Sequence, residues 1–425
     1  MARLSSRPAL LAFAAIALCS SAYPQTPSLP VFSQTPKVRA IAAFVHLERD
    51  TYQAQTRDTV EKLRAAQSSF EKAGYQVQTL RIATQPFPAY IRGLSRQEAL
   101  AFFRAYDGWL RAQGYFNNHV PVLVNIGPAM LSDTDDLAPA ELLADVLPTM
   151  FYSSLVVADK DGVHWRSVKA AARVIKTLAE NSPNSEANFA FAASALVPPG
   201  TPFYPGGYYL GPGQEFAVAL ESANVVAEAL ASAPRDPARA RQALEESLGA
   251  HARRIEAIAD QLEHQIGRTY LGMDLSPAPN HAVSIGAAVE SFTGATFGSS
   301  GTMTAAALIT EALRRIPVKR IGYNGLMVPV LEDNVLAQRW GEGAYNLDSL
   351  LAYSAVCGTG IDAVPLPGDV SVEQLERMVG DMATLAVKLG KPLSARLMPV
   401  KGKGKGDLTS FQDPSMVNTT LQPLP

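Results

Sequence analysis

The sequence has little cysteine, little net charge and few histidines, and each scarcity excludes a class of protein. Two cysteines in 425 residues, Cys19 and Cys357, are too few for a disulfide framework. A formal net charge of −2 gives no reason to expect nucleic acid or an anionic membrane as a partner. The six histidines are scattered, without an HExxH motif, so their spacing indicates no metal site.

Several motifs are also missing. The chain has no G-x-S-x-G segment, which excludes a typical α/β-hydrolase. The glycine-rich stretch "FGSSGT" (297–302) lacks the spacing and the lysine of a phosphate-binding loop, so no nucleotide cofactor is indicated. Beyond the N-terminus, no apolar stretch is long enough to span a membrane. The composition, 47% hydrophobic and 18% charged, is typical of a globular protein.

The N-terminus has the pattern of a targeting segment. Arg3 and Arg7 precede the apolar run "ALLAFAAIAL" (9–18), and small residues follow at 20–22. We predict a signal peptide over 1–22, a linker over 23–37, and an exported protein that is periplasmic or secreted. Cleavage after Ala22 would remove any membrane contact and leave Cys357 as the one remaining cysteine.

The rest of the chain predicts a single α/β domain over 38–420. Apolar runs of strand length, such as 38–45 and 151–158, alternate with segments of helical spacing, such as 165–180. This alternation favours a largely parallel sheet covered by helices. Helical spacing over about 216–268 predicts a helical hairpin inserted in the domain. Its long amphipathic helices leave a homo-oligomer open.

Acidic residues follow predicted strands, where α/β folds place their sites. Glu332 and Asp333 end the stretch "GYNGLMVPVLED" (322–333). They are candidates for a general base or for metal ligands, or they begin a helix whose dipole favours acids. Asp362 lies in "LAYSAVCGTGIDAVPLPGD" (351–369), which we predict to be a loop of the active site.

Cys357 lies in the same stretch and is a candidate nucleophile. A thiolate attacks when a helix N-terminus, a histidine or a cation stabilises it. Cys357 instead follows a predicted helix, whose dipole presents its negative end and disfavours the thiolate. The alternative is that Cys357 is a small buried side chain.

Other residues are candidates for substrate binding. "FGSSGT" directly precedes a helix, so its backbone N–H groups form either an anion site or a simple N-capping turn. The aromatic loop "PPGTPFYPGGYY" (198–209) either lines a pocket or forms a rigid surface loop. His46 and His281 are the histidines best placed to reach a central site. The predicted substrate-binding residues are Gly298, Ser299, Ser300, Gly301, Thr302, Tyr323, Gly358, Gly360 and Asp369.

Four stretches together resemble the domain of unknown function 711 family: "AGYQVQTLRIATQPF" (73–87), "PPGTPFYPGGYY", "GYNGLMVPVLED" and "YSAVCGTGIDAVPLPGD". The resemblance extends from about Val38 to Asn418. It implies the pyruvate formate-lyase-like fold, a large α/β barrel around a central finger loop, for a family without an established activity.

That fold would suggest a glycyl-radical lyase with Cys357 as thiyl carrier, and the sequence argues against it. The radical-glycine motif, of the type Arg-Val-small-Gly-Tyr, is missing near the C-terminus, and "RIGY" (320–323) is too short and too early. The sequence departs from the family pattern at the export signal and at Asn280 and His281, where acidic or small residues are commoner. The second departure puts in doubt a metal or acid role inherited at that position.

The leading hypothesis is a non-radical enzyme, of hydrolase or lyase type, acting on a small polar or anionic substrate. Its predicted catalytic residues are Cys357, Glu332, Asp333 and Asp362. No cofactor is identified, and a divalent metal stays open. The alternative is a periplasmic protein that binds a small molecule or metal without catalysis. A third hypothesis is a structural oligomer.

Overall fold

Strands and helices alternate along the chain as the hydrophobic pattern predicts. The computed structural model describes residues 32–130 and 132–424, so the predicted signal peptide and most of the linker lie outside the described residues. The strands are β1 (Lys37–Val45), β2 (Leu80–Thr84), β3 (Val122–Asn125), β4 (Phe151–Asp159), β5 (Gly162–Val163), β6 (Phe191–Ala195), β7 (Glu215–Glu221), β8 (Thr269–Asp274), β9 (Gly360–Pro367) and β10 (Leu393–Val400).

These strands form one mixed sheet in the order β8-β7-β1-β2-β3-β4-β6-β10-β9, with β5 paired to β4. The five strands from β1 to β6 in this order are mutually parallel. Pairs β7–β8 and β9–β10 flank them, and each pair joins the central block antiparallel. The α/β class is therefore confirmed, and the predicted parallel character holds for the centre of the sheet. The ladder of named strands does not close into a barrel.

The helices are α1 (Tyr52–Lys72), α2 (Arg96–Ala112), α3 (Ala138–Val146), α4 (Trp165–Asn181), α5 (Ala223–Ala231), α6 (Pro237–Ile266), α7 (Ile285–Thr293), α8 (Thr302–Arg315), α9 (Asn334–Gly341), α10 (Leu347–Ser354) and α11 (Val372–Leu389). Helix α11 follows local signals closely: Ser371 caps its N-terminus in a capping box, and Gly390 ends it in the left-handed conformation. No helix within the described ranges is long and apolar enough to cross a membrane.

Two segments differ from the expected structure because burial obscures periodicity. Residues 215–221, expected to be helical, form strand β7, whose seven residues are all buried between β1 and β8. The helical pair therefore begins only at α5, which packs on α6. Conversely, the strand-like run 325–331 is not a strand. It contributes an isolated bridge at Pro329 and then a short 3₁₀ turn, since proline has no N–H for a ladder.

The segment from Arg320 to Pro329 passes between the two edges of the sheet. Arg320 bridges to Met273 on edge strand β8, and Pro329 bridges to Asp362 on edge strand β9. Small side chains on the sheet leave room for this segment and for loop 197–209. Two buried clusters show this packing, with Ala40, Ala42, Ala83, Ala217 and Ala219 against Val197, Phe203, Tyr204, Tyr209, Ile321, Tyr323 and Met327.

The stretch 351–369, predicted as a loop that follows a helix, contains the end of helix α10, a loop and a strand. Its second half is β9, which is buried almost throughout and pairs in parallel with β10. A continuous apolar run of this length is typical of a strand buried on both faces, but the glycines and prolines around it resemble a loop in the sequence. Asp362 therefore projects from a strand of the sheet.

Candidate functional site

Two predicted acids, Glu332 and Asp362, meet at one arginine of strand β10. Arg396 donates from Nε to Asp362 Oδ1 at 2.7 Å, and its Nη2 donates to Glu332 Oε1. The bridge between Pro329 and Asp362 brings the end of the 320–329 segment beside β9, which places Glu332 within reach. Arg396 is only 6% exposed. One buried guanidinium therefore donates hydrogen bonds to both carboxylates, and the planar set of donors of arginine suits this arrangement.

Arg39 on β1 extends this arrangement on its other side. Its Nη2 lies 3.4 Å from Glu332 Oε2, and its Nη1 lies 3.6 Å from Glu221 Oε2. Asn280 also donates to Glu221 Oε2, at 3.2 Å. We call Arg39, Glu221, Glu332, Asp362 and Arg396 the central ion cluster. It joins strands β1, β7, β9 and β10 with the 3₁₀ turn before α9.

Burial makes the central ion cluster sensitive to protonation. Burial raises the pKa of Asp362, the charge of Arg396 lowers it, and neighbouring Glu332 raises it again. Burial also disfavours the charge of Arg396, but Asp362 and Glu332 outweigh this and raise its pKa above the ordinary value. The arginine thus stays charged, while Asp362 is the group whose protonation is made easier.

A small cavity of about 270 Å³ opens on the cluster. Its wall combines one arginine and one carboxylate of the cluster with the amide of Asn280, the ring of His281 and the C-terminal segment. Water or a small molecule could therefore contact Glu332 directly. The lining residues are Arg39, Pro279, Asn280, His281, Glu332, Pro414 and Ser415.

Asp333, the neighbour of Glu332, is directed elsewhere and is occupied by backbone donors. Its Oδ1 accepts from the N–H groups of Val335 and Leu336 at 3.0 Å and caps helix α9. Its Oδ2 accepts from Ile285 N at 2.7 Å, at the start of helix α7, while Ser284 Oγ donates to Oδ1 at 2.6 Å. The carboxylate is fully buried. This geometry favours the helix-capping alternative over a general base.

Cys357 is buried as a free thiol and lies apart from the acids. Only 1% of it is exposed. Its carbonyl accepts from Lys391 Nζ, which also donates to the carbonyl of Ser354 at 2.8 Å, so the ammonium caps the end of helix α10. Burial lowers the pKa of Lys391. The surroundings of Cys357 fit the alternative of a packed small side chain, and no contact joins it to the central ion cluster among the described residues.

The predicted anion-binding turn 298–302 lies in the helical layer. Gly298 N donates to Thr302 Oγ1 at 3.0 Å, and Ser299 and Ser300 are exposed. Tyr353 of α10 donates to the carbonyl of Gly298 at 3.3 Å. The turn leads into α8, whose N-cap Gly301 has no side-chain cap hydrogen bond, so these contacts hold the turn itself together. They do not connect the turn to the acids in the part of the chain that the structure describes.

The other predicted binding residues are divided. Tyr323 is close to the cluster. Its hydroxyl is 2.6 Å from Ser394 Oγ. Burial is the main cause that raises the pKa of Tyr323, and the charge of Asp362 raises it as well. Gly358 packs against Gly325, and Gly360 has φ near 99° with its backbone against Ser394, so both allow close chain approach. Asp369 is exposed at the far end of β9.

Sequence reasoning overlooked the arginines of the site. Arg39, Arg81 and Arg396 each interrupt an apolar strand, in "VRAIAAFV", "TLRIAT" and "PLSARLMPV". Arginine is rarely buried unless it is paired, so a single arginine in a buried strand is itself a signal of an internal ionic site. That signal was available without the structure.

A second, larger cavity of about 770 Å³ lies at the C-terminal ends of strands β1 to β3. Its wall is mainly apolar, with prolines and aliphatic side chains from the loops before α2 and α3. Charged groups such as Arg96 stand at its rim, and Arg96 pairs with exposed Asp145. We call it the apolar cavity. It contains His46, one of the two histidines expected to reach a site, whereas His281 lies at the smaller cavity.

The described residues offer no group of three histidine, cysteine or acidic side chains that could hold a metal ion. Glu332 and Asp362 are both engaged by Arg396, and Glu221 lies on the far side of Arg39. The arrangement is therefore an alternation of carboxylates and guanidinium groups. It can bind polar groups and transfer protons through its own side chains.

Comparison with known proteins identifies the family. The family described as Uncharacterised ACR (DUF711) matches residues 31–413. The chain belongs to this family. It is similar to a UPF0210 protein of Pyrobaculum arsenaticum, with 31% identity over 81% of this chain and 78% of the relative. UPF0210 proteins of Pyrobaculum islandicum and Desulforudis audaxviator are 29% identical, covering 79% and 80% of this chain and 76% and 77% of the relatives.

The match confirms the family resemblance seen in the sequence. The printed names of the relatives specify no activity, so the comparison supplies a family and not a reaction. The chemistry of this protein has to be argued from its own side chains.

Proposed function

We propose that this protein is an enzyme, of hydrolase or lyase type, that transfers a proton to or from a small polar or anionic substrate at the central ion cluster. One observation carries the proposal: Asp362, Arg396, Glu332 and Arg39 form a continuous chain of buried and partly buried charges, and Glu332 opens onto the 270 Å³ cavity. Side chains of alternating charge, desolvated beside a cavity, are typical of acid–base sites.

The roles within the cluster follow from contact and charge. Glu332 lines the cavity, so it is the candidate general base that would touch the substrate. Asp362 does not line that cavity; its pKa is raised by burial, and it shares Arg396 with Glu332. It would act as a positioning residue that holds Arg396 against Glu332. Because Arg396 holds both carboxylates, protonation of either one alters the field on the other.

The barrel-like architecture is part of the same proposal. The segment 320–329 bridges to both edge strands through Arg320 and Pro329, and nine residues reach at most about 30 Å. This supports a strongly curved sheet around loop 197–209 and the 320–329 segment, as the family resemblance suggests. Packing of α5 on α6 supports the helical hairpin, now limited to residues after β7.

Export and the single domain complete the proposal. The positive and apolar pattern of residues 3–18 supports a cleaved signal peptide. A substrate available outside the cytoplasm would then be expected. Mass spectrometry of the N-terminus of the mature protein would check this directly, since cleavage after Ala22 leaves Tyr23 as the first residue.

The decisive experiment is an untargeted activity screen of the purified mature protein. It is incubated with mixtures of small carboxylic acids, phosphate esters and amides, and mass spectrometry follows their consumption. For any substrate found, Glu332→Gln should lower kcat/KM by about 10²-fold or more, because loss of a general base typically costs 10²–10⁴.

Asp333→Asn is the matched control, since it changes the adjacent acid by the same chemistry. It should reduce stability through lost helix caps and leave kcat of the folded protein nearly unchanged. Equal loss of activity in both variants would contradict the assignment to Glu332. A ligand that copurifies without being converted would favour the alternative, a binding protein without catalysis.

A further inference from the structure

Arg81 is a buried cation that lacks an acidic partner. It lies on β2 and is 5% exposed. Its Nη1 donates to the carbonyl of Pro202 at 2.9 Å and its Nε donates to Thr79 Oγ1 at 3.1 Å. Both acceptors are neutral, and within residues 32–130 and 132–424 no carboxylate lies within ion-pair distance of it. A buried charge without a counter-ion is costly to a protein.

The Tyr204 hydroxyl, next to Arg81, is also unsatisfied. The Arg81 guanidinium stands over the Tyr204 ring, 4.8 Å from its centroid. The Tyr204 hydroxyl oxygen is buried and makes no hydrogen bond with the described residues. The backbone N–H of Asn125 approaches it without reaching hydrogen-bond geometry. As the amide is a donor, the hydroxyl proton of Tyr204 still lacks an acceptor.

Arg81 adjoins the central ion cluster, whose carboxylates are engaged by other cations. Burial and, after it, the charge of Arg39 lower the pKa of Arg81 to about 10, against the opposing charges of Tyr204, Tyr152 and Glu332. Burial and the charge of Asp413 raise the pKa of Tyr152. The charges of three arginines, Arg81, Arg396 and Arg39, lower it. The rings of Tyr152 and Tyr204 are 5.5 Å apart. Three guanidinium groups therefore converge here. Glu221, Glu332 and Asp362 make their ion-pair contacts with Lys37, Arg39 and Arg396, and none of these contacts reaches Arg81.

We propose that Arg81 and the Tyr204 hydroxyl bind an oxyanion, the carboxylate or phosphate group of a small substrate. An oxyanion would supply the counter-ion that Arg81 lacks and the acceptor that Tyr204 lacks. The guanidinium and the phenol are both donors, so a cation would satisfy neither, and a neutral acceptor would satisfy the phenol without supplying a counter-ion to Arg81. The inference rests on the proposed function for the location of the site, and it adds the chemical class of the substrate.

The test measures binding and does not need a substrate assay. Thermal unfolding of the mature protein is followed with increasing inorganic phosphate, acetate or malonate, at constant ionic strength maintained with chloride. A specific ligand raises the melting temperature as a saturable function of its concentration. We expect at least one of these oxyanions to do so, and the better one distinguishes a phosphate site from a carboxylate site.

Three variants connect the effect to this site. Arg81→Met should abolish the saturable shift. Tyr204→Phe should raise the dissociation constant of the oxyanion roughly ten- to a hundredfold, as expected for a lost hydrogen bond to a charged group. Without an oxyanion, Tyr204→Phe should melt no lower than the parent, because it removes an unsatisfied hydroxyl. Arg254→Met is the control, since Arg254 also stands over a tyrosine ring and donates to one carbonyl.

The outcomes separate this inference from the proposed enzyme. No saturable shift with any of the three oxyanions, or an equal shift in the parent and in Tyr204→Phe, would overturn the oxyanion site. Tyr204→Phe serves even if Arg81→Met does not fold. A shift that depends on Arg81 and Tyr204, together with no turnover of any substrate, would keep the oxyanion site and remove the proposed catalysis.

Discussion

The two cavities of this protein differ in whether buried charged side chains form part of their walls. The apolar cavity is almost three times larger, about 770 Å³ against 270 Å³, and it occupies the strand ends where α/β folds usually bind ligands. Its charged groups stand at an exposed rim. The smaller cavity contacts Arg39 and Glu332, which belong to a buried chain of charges. The comparison teaches that volume and position point to the apolar cavity, whereas buried charge points to the smaller one.

The energetic contrast between the two regions is equally large. A protein does not keep several charges buried without a compensating network, since each desolvated ion costs several kcal/mol. Proline and aliphatic side chains around the apolar cavity carry no such cost. The burial of Arg396 and Glu332, with Asp362 only slightly more exposed, is therefore the stronger indication of a functional site.

The largest expected effect is on the free energy of unfolding, when one arginine is removed from each region. Arg396→Met leaves Glu332 and Asp362 without their shared partner and should lower the free energy of unfolding by about 3–5 kcal/mol. Arg96→Met, at the rim of the apolar cavity, removes an ion pair whose side chains are 51% and 47% exposed. It should cost about 0–1 kcal/mol. Urea unfolding of both variants measures the difference, and equal losses would show that the cluster is not energetically distinct.

A smaller effect concerns pH. Asp362 has a raised pKa in the folded protein, so the native state binds its proton more tightly than the unfolded chain does. The contribution of Asp362 to stability is therefore greatest below the unfolded carboxyl pKa of about 4 and is lost as pH rises through the folded pKa. Asp362→Asn removes this dependence.

The measurement is the urea midpoint of parent and Asp362→Asn at intervals from pH 4 to pH 8. The parent should lose stability relative to the variant as pH rises. A difference that changes in the opposite direction would mean that Arg396 dominates and holds Asp362 ionised. Asp145→Asn, the exposed acid near the apolar cavity, is the control.

The smallest effect is expected from filling the apolar cavity. Ala99, 2% exposed, faces this cavity from helix α2. Ala99→Leu places added methyl groups in existing space, so the free energy of unfolding should change by no more than about 1 kcal/mol. Turnover and oxyanion-dependent melting should be unchanged. A variant that keeps its stability and loses turnover would transfer the candidate site to the apolar cavity.

Local sequence signals predicted much of the fold. Helix α4 was predicted within a few residues, and the helical spacing noted over about 216–268 includes α5 and α6, because amphipathic spacing depends on neighbours in the chain. Strand β7 was mistaken for a helix and β9 for a loop. Both strands are almost entirely buried, and a strand buried on both faces loses the alternation that would reveal it.

Prediction of the candidate site was more uneven. Glu332 and Asp362 were selected from acidic residues near predicted strand ends, and the structure brings them together on Arg396. Asp333 was selected on the same grounds, yet one residue further along the chain the side chain caps two helices. Cys357 was selected for its rarity, which reports on composition and carries no information about its surroundings.

By itself, the sequence determined the α/β class, the family, the bounds of helices such as α4 and the acids available for a site, since these depend on short-range periodicity and residue type. Only the tertiary structure decided which acid faces which partner. Arg396 and Asp362 are 34 positions apart, and Arg39 and Glu332 are 293 apart. Such pairs form when sheet order and the crossing segment 320–329 bring distant strands together, and no local pattern encodes that meeting.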